Sequence, residues 1–336
     1  MSPGGGSPSG LPQAGAHPRA RGRDAGPPRA LPAVFRPCAL RAALPDHARE
    51  PGAEVRLPGN AARPDREPPP RRDGERLTPA GPAAAALAAG AVAFVAWRAH
   101  ALTGGGALAA WAVGTLVVVG TGWAGGAVLA AFFVSSTAVG RLEPTRPGLD
   151  GKGERRDQYQ VGANGGPAAL GALLGLHDPG LGLWIVTGSL AAAAADTWAT
   201  GIGALSRVPP RILLLGRRVP PGTSGGMTVL GCAGAAGGAM LVAATGAWAV
   251  GDATLLLLGT LVGFAGMVAD SFLGSACQGR FRCPMCEAAS EWPVHRCGAR
   301  TVREGGLPWL DNDGVNLAAT ALAAALSAAA WLCWRR

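Results

Sequence analysis

From residue 82 onward the chain is a succession of apolar runs, each close to the length of a membrane crossing and each closed by a short polar segment. The runs cover residues 82–97, 105–120, 122–140, 165–176, 180–195, 227–250, 253–272 and 315–334. A helix needs about 20 apolar residues to cross the hydrocarbon of a bilayer, and within lipid every backbone N–H and C=O must be paired inside the element. The expected fold is therefore all-α, a polytopic transmembrane helix bundle of eight helices, or seven if one early run is re-entrant. Residues 165–176 are short for a crossing unless that helix tilts or starts within 161–165. Composition agrees: 49% hydrophobic residues, 15% charged and 53 glycines exclude a soluble domain of 336 residues. The abundance of Gly and Ala predicts close helix packing.

Residues 1–80 differ. They hold 16 of the 28 prolines and 13 of the 30 cations, with no apolar periodicity, so a disordered Pro/Arg-rich tail is expected there, followed by a transmembrane domain over 81–336. The net charge of +9 does not point to nucleic acid, because the remaining cations fall in short loops between apolar runs. The loops 141–163, 201–224 and 277–310 carry 5, 4 and 5 Lys or Arg, whereas the tight turns at 177–180 and 251–252 carry none. Hairpins return the chain to the side it left, so the three basic loops share one side. The positive-inside rule makes that side cytoplasmic in a multi-pass protein of the cell membrane. The basic tail and Arg335 then fall on the other side, and the short loops are the better guide.

Polar residues from five places converge on the basic side. Lys152, the only lysine beside 29 arginines, Arg156 and Asn164 lie in or next to the first loop. Asp196 ends one apolar run and Asp270 another, while Asp313 and Asn316 open the last. Arg211 and the turn Gly222-Thr223-Ser224-Gly225-Gly226 lie in the second loop. Carboxylates at the ends of separate helices suit Mg²⁺, a hard cation that shares oxygen ligands with a substrate phosphate. Guanidinium groups grip phosphate oxygens, and a glycine-rich turn opening a helix offers N–H groups to an anion. Asp196, Asp270 and Asp313 are the expected Mg²⁺ ligands. Lys152, Arg156 and Arg211 are the expected phosphate ligands, with Asn164, residues 222–226 and Asn316 lining the substrate. Ser135 and Ser136 are expected to bond back to their own helix.

A separate signal lies in the third loop. Cys283-Pro-Met-Cys286 and His295-Arg-Cys297 supply two thiolates in a C-x-x-C turn and an H-x-C pair, the four soft ligands a tetrahedral, structural Zn²⁺ wants; the alternative is a disulfide, which a reducing side disfavours.

The motifs F-F-V-S-S at 132–136, R-D-Q-Y-Q-V-G-A-N-G-G at 156–166, A-D-T-W-A-T-G-I-G-A-L-S at 195–206, G-T-S-G-G at 222–226, D-S-F-L-G at 270–274 and L-D-N-D-G-V-N-L at 310–317 resemble the integral membrane family called domain-of-unknown-function ninety-two, or transmembrane-protein-nineteen-like. The family carries a glutamate after D-T-W-A-T, where this chain has Gly201. One member, in plant plastids, is a phytyl-phosphate kinase. The resemblance implies an isoprenyl (phytyl or polyprenyl) phosphate kinase-like phosphotransferase, with membrane lipid, an isoprenyl phosphate and a nucleoside triphosphate as partners. A transporter or flippase of a phosphorylated lipid or small anion, or a non-catalytic membrane protein, is the alternative.

Overall fold

A computed structural model describes residues 81–142, 149–150, 155–212, 216–290 and 292–335; the tail 1–80 and Lys152 lie outside the described residues. The described chain is helical: α1 (Pro82–Arg98), α2 (Gly104–Gly140), α3 (Gln158–Gly175), α4 (Pro179–Gly203), α5 (Val229–Val250), α6 (Ala253–Ala276) and α7 (Asn312–Trp334). Short strands lie between them: β1 (Leu149–Asp150), β2 (Arg211–Ile212), β3 (Gly226–Met227), β4 (Arg280–Arg282), β5 (Ala289–Ser290) and β6 (Val302–Gly305).

The choice between seven and eight helices is settled by Gly122. It interrupts α2 at φ 68°, ψ −167°, a conformation open to a residue without Cβ. The two arms fold back on each other: Val118 reaches to 3.0 Å of where a Gly126 Cβ would stand, and Leu129 lies 3.8 Å from the same point on Gly114. In a straight helix Gly114 and Leu129 would be about 22 Å apart. Hence α2 is a helical hairpin, and eight helical segments succeed one another among the described residues.

Most helix starts follow from a short polar residue whose side chain accepts an otherwise unpaired backbone N–H. Thr103, Asp178, Thr228, Asp252 and Asp311 each do this, and Asp157 forms a full capping box with Gln160 at the start of α3. That box begins α3 at Gln158, earlier than its apolar run suggested, which gives the helix 18 residues.

Among the described residues α5, α6 and α7, together with the 37-residue stretch of the α2 hairpin, are long and apolar enough to cross a membrane. Their outward residues are apolar, such as Leu108, Leu257 and Trp248, as lipid-facing surfaces must be. Helix α4 is the centre of the bundle: Leu183 through Ala195 are all buried, and the helix packs on α2, α3, α5, α6 and α7. Its run of alanines lets five neighbours approach closely, so the tight core is made of small side chains and dispersion contacts.

The loops joining α2 to α3, α4 to α5 and α6 to α7 gather at one end. Leu102 bridges Arg156, β1 pairs in parallel with β5, and Ser224 Oγ donates to Gln278 Oε1 at 2.5 Å. The turn at 176–178 and the end of α7 lie together elsewhere, where Arg335 pairs with Asp178 and Trp331 packs on Trp184. The three basic loops share one end, as the hairpin pattern predicted.

Candidate functional site

Below the loop end, α4, α6 and α7 meet at a point with almost no side chain. A Cβ on Gly266 would stand 2.5 Å from Ala192 Cβ, 3.4 Å from Ala323 Cβ and 3.5 Å from Ala319 O. One helical turn toward the loops, α4 presents Asp196, α6 presents Asp270, and α7, running the other way, presents Asn316. The site is thus levelled by a glycine contact: helices that touch without side chains bring polar groups one turn away into reach of each other.

The two carboxyl groups do meet. Asp270 is hydrogen-bonded through its side chain to Asp196. A carboxyl–carboxyl contact requires either a shared proton or a cation, since two bare anions repel. The second Asp270 oxygen, Oδ2, is buried and has no protein partner. Asp313 and Asn316 are buried in the first turns of α7, which is tied to α3 where Thr320 Oγ1 donates to Ala163 O at 2.8 Å. The Asp196–Asp270 pair offers oxygen donors of the kind a hard divalent cation takes.

The glycine turn packs against the same end. At Gly225, φ +73°, a Cβ would lie 2.3 Å from Ser271 O, so the turn lies directly on α6 beside Asp270. One expectation is corrected. The turn does not open helix α5: it runs into β3, which pairs with β2, and the N-cap of α5 is Thr228, whose hydroxyl accepts from Gly231 N at 2.9 Å. The β2–β3 pairing continues the chain as a ribbon for these residues, so no helix dipole acts at Gly222. Thr223 Oγ1 instead donates to Pro220 O at 2.8 Å, and Gly226 N to Thr223 O at 3.0 Å.

The remaining residues are spread around this centre. Arg211 is exposed on β2 opposite Met227 and donates to Gly216 O at 2.9 Å within its own loop. Arg156 sits at the junction of α1 and α2, its guanidinium 5.7 Å from the Phe132 ring centre, and burial lowers its pKa from the ordinary arginine value. Asn164 Nδ2 donates to Gln160 O at 3.0 Å. Ser135 bonds back to Phe132 O at 3.3 Å as expected, whereas Ser136 Oγ is buried without a protein partner, as are Thr137 Oγ1 and Trp198 Nε1. Gly201 lies against α2, where a Cβ would meet Val139 O at 2.7 Å. Position 201 therefore lies at the α4–α2 contact, whereas Asp196 meets Asp270 of α6.

Gln278 escaped the sequence reading. It is fully buried and accepts from Ser224, which fastens the glycine turn to the end of α6. The signal was present as an uncharged polar residue six positions beyond the apolar run 253–272. An apolar groove of about 380 Å³ between α1 and α2, lined by Phe94, Trp97 and Trp111 among others, carries no titratable group and lies apart from the carboxylates.

In the third loop the four soft ligands come together, with all four ligand atoms within 4.8 Å of one another. Hydrogen bonding to Cys297, burial and contact with Cys283 push the Cys286 thiol up to about 11.

Comparison with known proteins agrees with this architecture. The family described as Integral membrane protein DUF92 matches residues 87–324, more than half of the chain, and the chain belongs to that family. It is similar to an uncharacterized membrane protein of Methanocaldococcus jannaschii, 32% identical over 154 residues, which are 44% of this chain and 63% of the archaeal one. It is also similar to Protein PGR of Arabidopsis thaliana, 28% identical over 270 residues, 71% of this chain and 92% of the plant protein. No solved structure matches.

Proposed function

We propose that the loop end of the bundle is the catalytic face of an isoprenyl-phosphate kinase-like phosphotransferase. The observation that carries this reading is the Asp196–Asp270 contact, in which two carboxyl groups from separate helices meet and one buried oxygen, Asp270 Oδ2, lacks a protein partner. With Asp313, on the first turn of α7, assigned to the same ion, they would form a set suited to Mg²⁺. The ion would neutralise charge between the two phosphates as they approach. Arg156, Arg211 and Lys152 are assigned to phosphate oxygens, and the turn at 222–226, with Asn164 and Asn316, to positioning them. In the reaction the γ-phosphorus to bridging-oxygen bond of a nucleoside triphosphate breaks, a bond forms from that phosphorus to an oxygen of the lipid phosphate, and the nucleoside diphosphate leaves with the bridging oxygen and its electron pair. A phosphate monoester is already largely dianionic near neutral pH, its second pKa being about 6, so no strong general base is needed. The isoprenyl class rests on the resemblance to the plant plastid phytyl-phosphate kinase, and the apolar tail would remain among the small-residue helices. By the positive-inside rule the face is cytoplasmic.

A carboxyl pair able to share a proton is also what a proton-coupled transporter of a phosphorylated lipid would use, which is the second reading. One assay separates the two. Purified protein reconstituted in vesicles is offered a panel of isoprenyl monophosphates and nucleoside triphosphates, with and without Mg²⁺. Metal-dependent appearance of the diphosphate, lost in Asp270→Asn, is the expected result. If no diphosphate forms with any pair while Asp196 is needed for movement of the lipid phosphate across the vesicle, the kinase reading is wrong and the transporter stands.

A further inference from the structure

The segment between α6 and α7 is built unlike the rest of the chain. Its neck is closed by backbone: Gly279 N donates to Leu310 O at 2.8 Å and Leu307 N to Cys277 O at 2.8 Å. At Gly306, φ +71°, the returning chain lies on the Gln278 carbonyl, where a Cβ would stand only 1.9 Å away. Beyond the neck, β4 pairs antiparallel with β5 and β6. This sheet has almost no hydrophobic core of its own, since Phe281, Cys283 and Ala288 are its buried apolar residues. Units this small are held by disulfides or a metal ion when apolar burial is insufficient.

At the sheet's far end stands a cluster with the dimensions of a metal shell. Cys283 Sγ and Cys297 Sγ are 3.6 Å apart, and His295 Nδ1 is 3.1 Å from Cys297 Sγ. Two thiolates bound at about 2.3 Å to one tetrahedral ion lie ~3.8 Å from each other. The cysteines are free thiols. The ligands come as two pairs, and each pair ends in the same backbone move. Glu287 follows Cys286 at φ 53°, and Gly298 follows Cys297 at φ 82°. A left-handed glutamate costs about 1 kcal/mol relative to an ordinary conformation, so its use here indicates a turn that must be made. The turn aims backbone at sulfur: the N–H groups of Met285 and Cys286 hydrogen-bond Cys283. The two turns differ in spacing, C-x-x-C against H-x-C, yet both end in a left-handed residue and bring their four ligand atoms within 4.8 Å of one another.

We infer that Cys283, Cys286, His295 and Cys297 bind one Zn²⁺ as a closed, structural centre, and that this ion is the core of the module that holds Gln278 against Ser224. Binding releases the thiol protons to solvent and changes no oxidation state. Four protein ligands leave no open position, so the ion has no part in phosphoryl transfer, and the inference stands whether or not the face is catalytic.

The test uses the full chain, purified in detergent under reducing conditions. Elemental mass spectrometry should find about one zinc per chain, as a single four-ligand site requires. Exchange into Co²⁺ should give the visible d–d and sulfur charge-transfer bands of a tetrahedral centre. Cys286→Ser and Cys297→Ser should lose the metal, Cys232→Ser should keep it, and His295→Cys should keep it with shifted cobalt bands. Chelation should raise hydrogen exchange in 277–310 while leaving α4 unchanged. The inference is overturned if the native chain carries no zinc and its four ligands alkylate or bind probes freely, if Cys283 and Cys297 are isolated as a disulfide, or if Cys232→Ser loses as much metal as Cys286→Ser. Unchanged exchange in 277–310 after metal removal overturns the structural role. Should the serine variants fail to fold, the native cobalt spectrum and His295→Cys still decide.

Discussion

The carboxylates at the loop end come from positions 196, 270 and 313 on three helices, whereas the four soft ligands of the α6–α7 segment fall within 283–297. The first group is positioned by packing: Gly266, Ala192 and Ala319 let three helices touch, Asp196 and Asp270 follow one turn on, and Asp313 stands six residues before Ala319 on α7. The second is positioned by backbone, through β pairing, two left-handed turns and a closed neck. One array depends on the whole bundle and the other on the α6–α7 segment with β1 paired beside it, so each should fail separately, and substitutions can show whether that independence holds.

The largest effect should come from the carboxylates. Asp270→Asn or Asp196→Asn should lower phosphoryl transfer by roughly 10²-fold or more, the scale on which removal of a charge-stabilising group acts. Zinc content should stay unchanged, and turnover measured beside elemental analysis checks both. Gly266→Leu comes next. It forces a side chain into the α4–α6–α7 contact and should cost about 1–3 kcal/mol, read as a lower unfolding temperature in detergent with the metal retained. If the cobalt bands vanish as well, the two arrays are coupled and the contrast fails. Gly306→Ala attacks the other side, because φ +71° and the Gln278 carbonyl both oppose a Cβ. It should open the neck at a cost of about 1–2 kcal/mol, seen as faster exchange in 277–310 with the helices unaffected. Glu287→Gly should tighten zinc several-fold by removing about 1 kcal/mol of strain, measured by competition with a chromophoric chelator. Arg335→Ala, which removes the surface pair with Asp178 at the far end, should change stability by at most about 1 kcal/mol and neither activity nor metal.

The same contrast explains what the sequence disclosed. The Cys and His cluster was legible because spacing within a loop is local, and the helix count was legible because apolar runs report crossings directly. Even the hairpin within α2 was visible as the break between the runs 105–120 and 122–140. The meeting of Asp196 with Asp270 was legible only as sidedness; the register that brings them into contact is fixed by Gly266, one small residue among many. The ribbon after the 222–226 turn was missed because two-residue strands carry no periodicity, and Ser136 was missed because a serine in a helix gives no sign of whether its hydroxyl bonds back. Gln278 was overlooked since a single amide between an apolar run and a basic loop looks like solvent-facing polarity.

The closed neck has a consequence for how such a protein can change over time. Because Gly279 meets Leu310 and Gly306 lies on Gln278, the ribbon enters and leaves through a single doorway. Excising residues 280–305 and rejoining the chain at the threshold should leave α6 and α7 seated as before. A segment attached in this manner can be gained, lost or exchanged between lineages as a cassette, while the helices beneath continue to assemble.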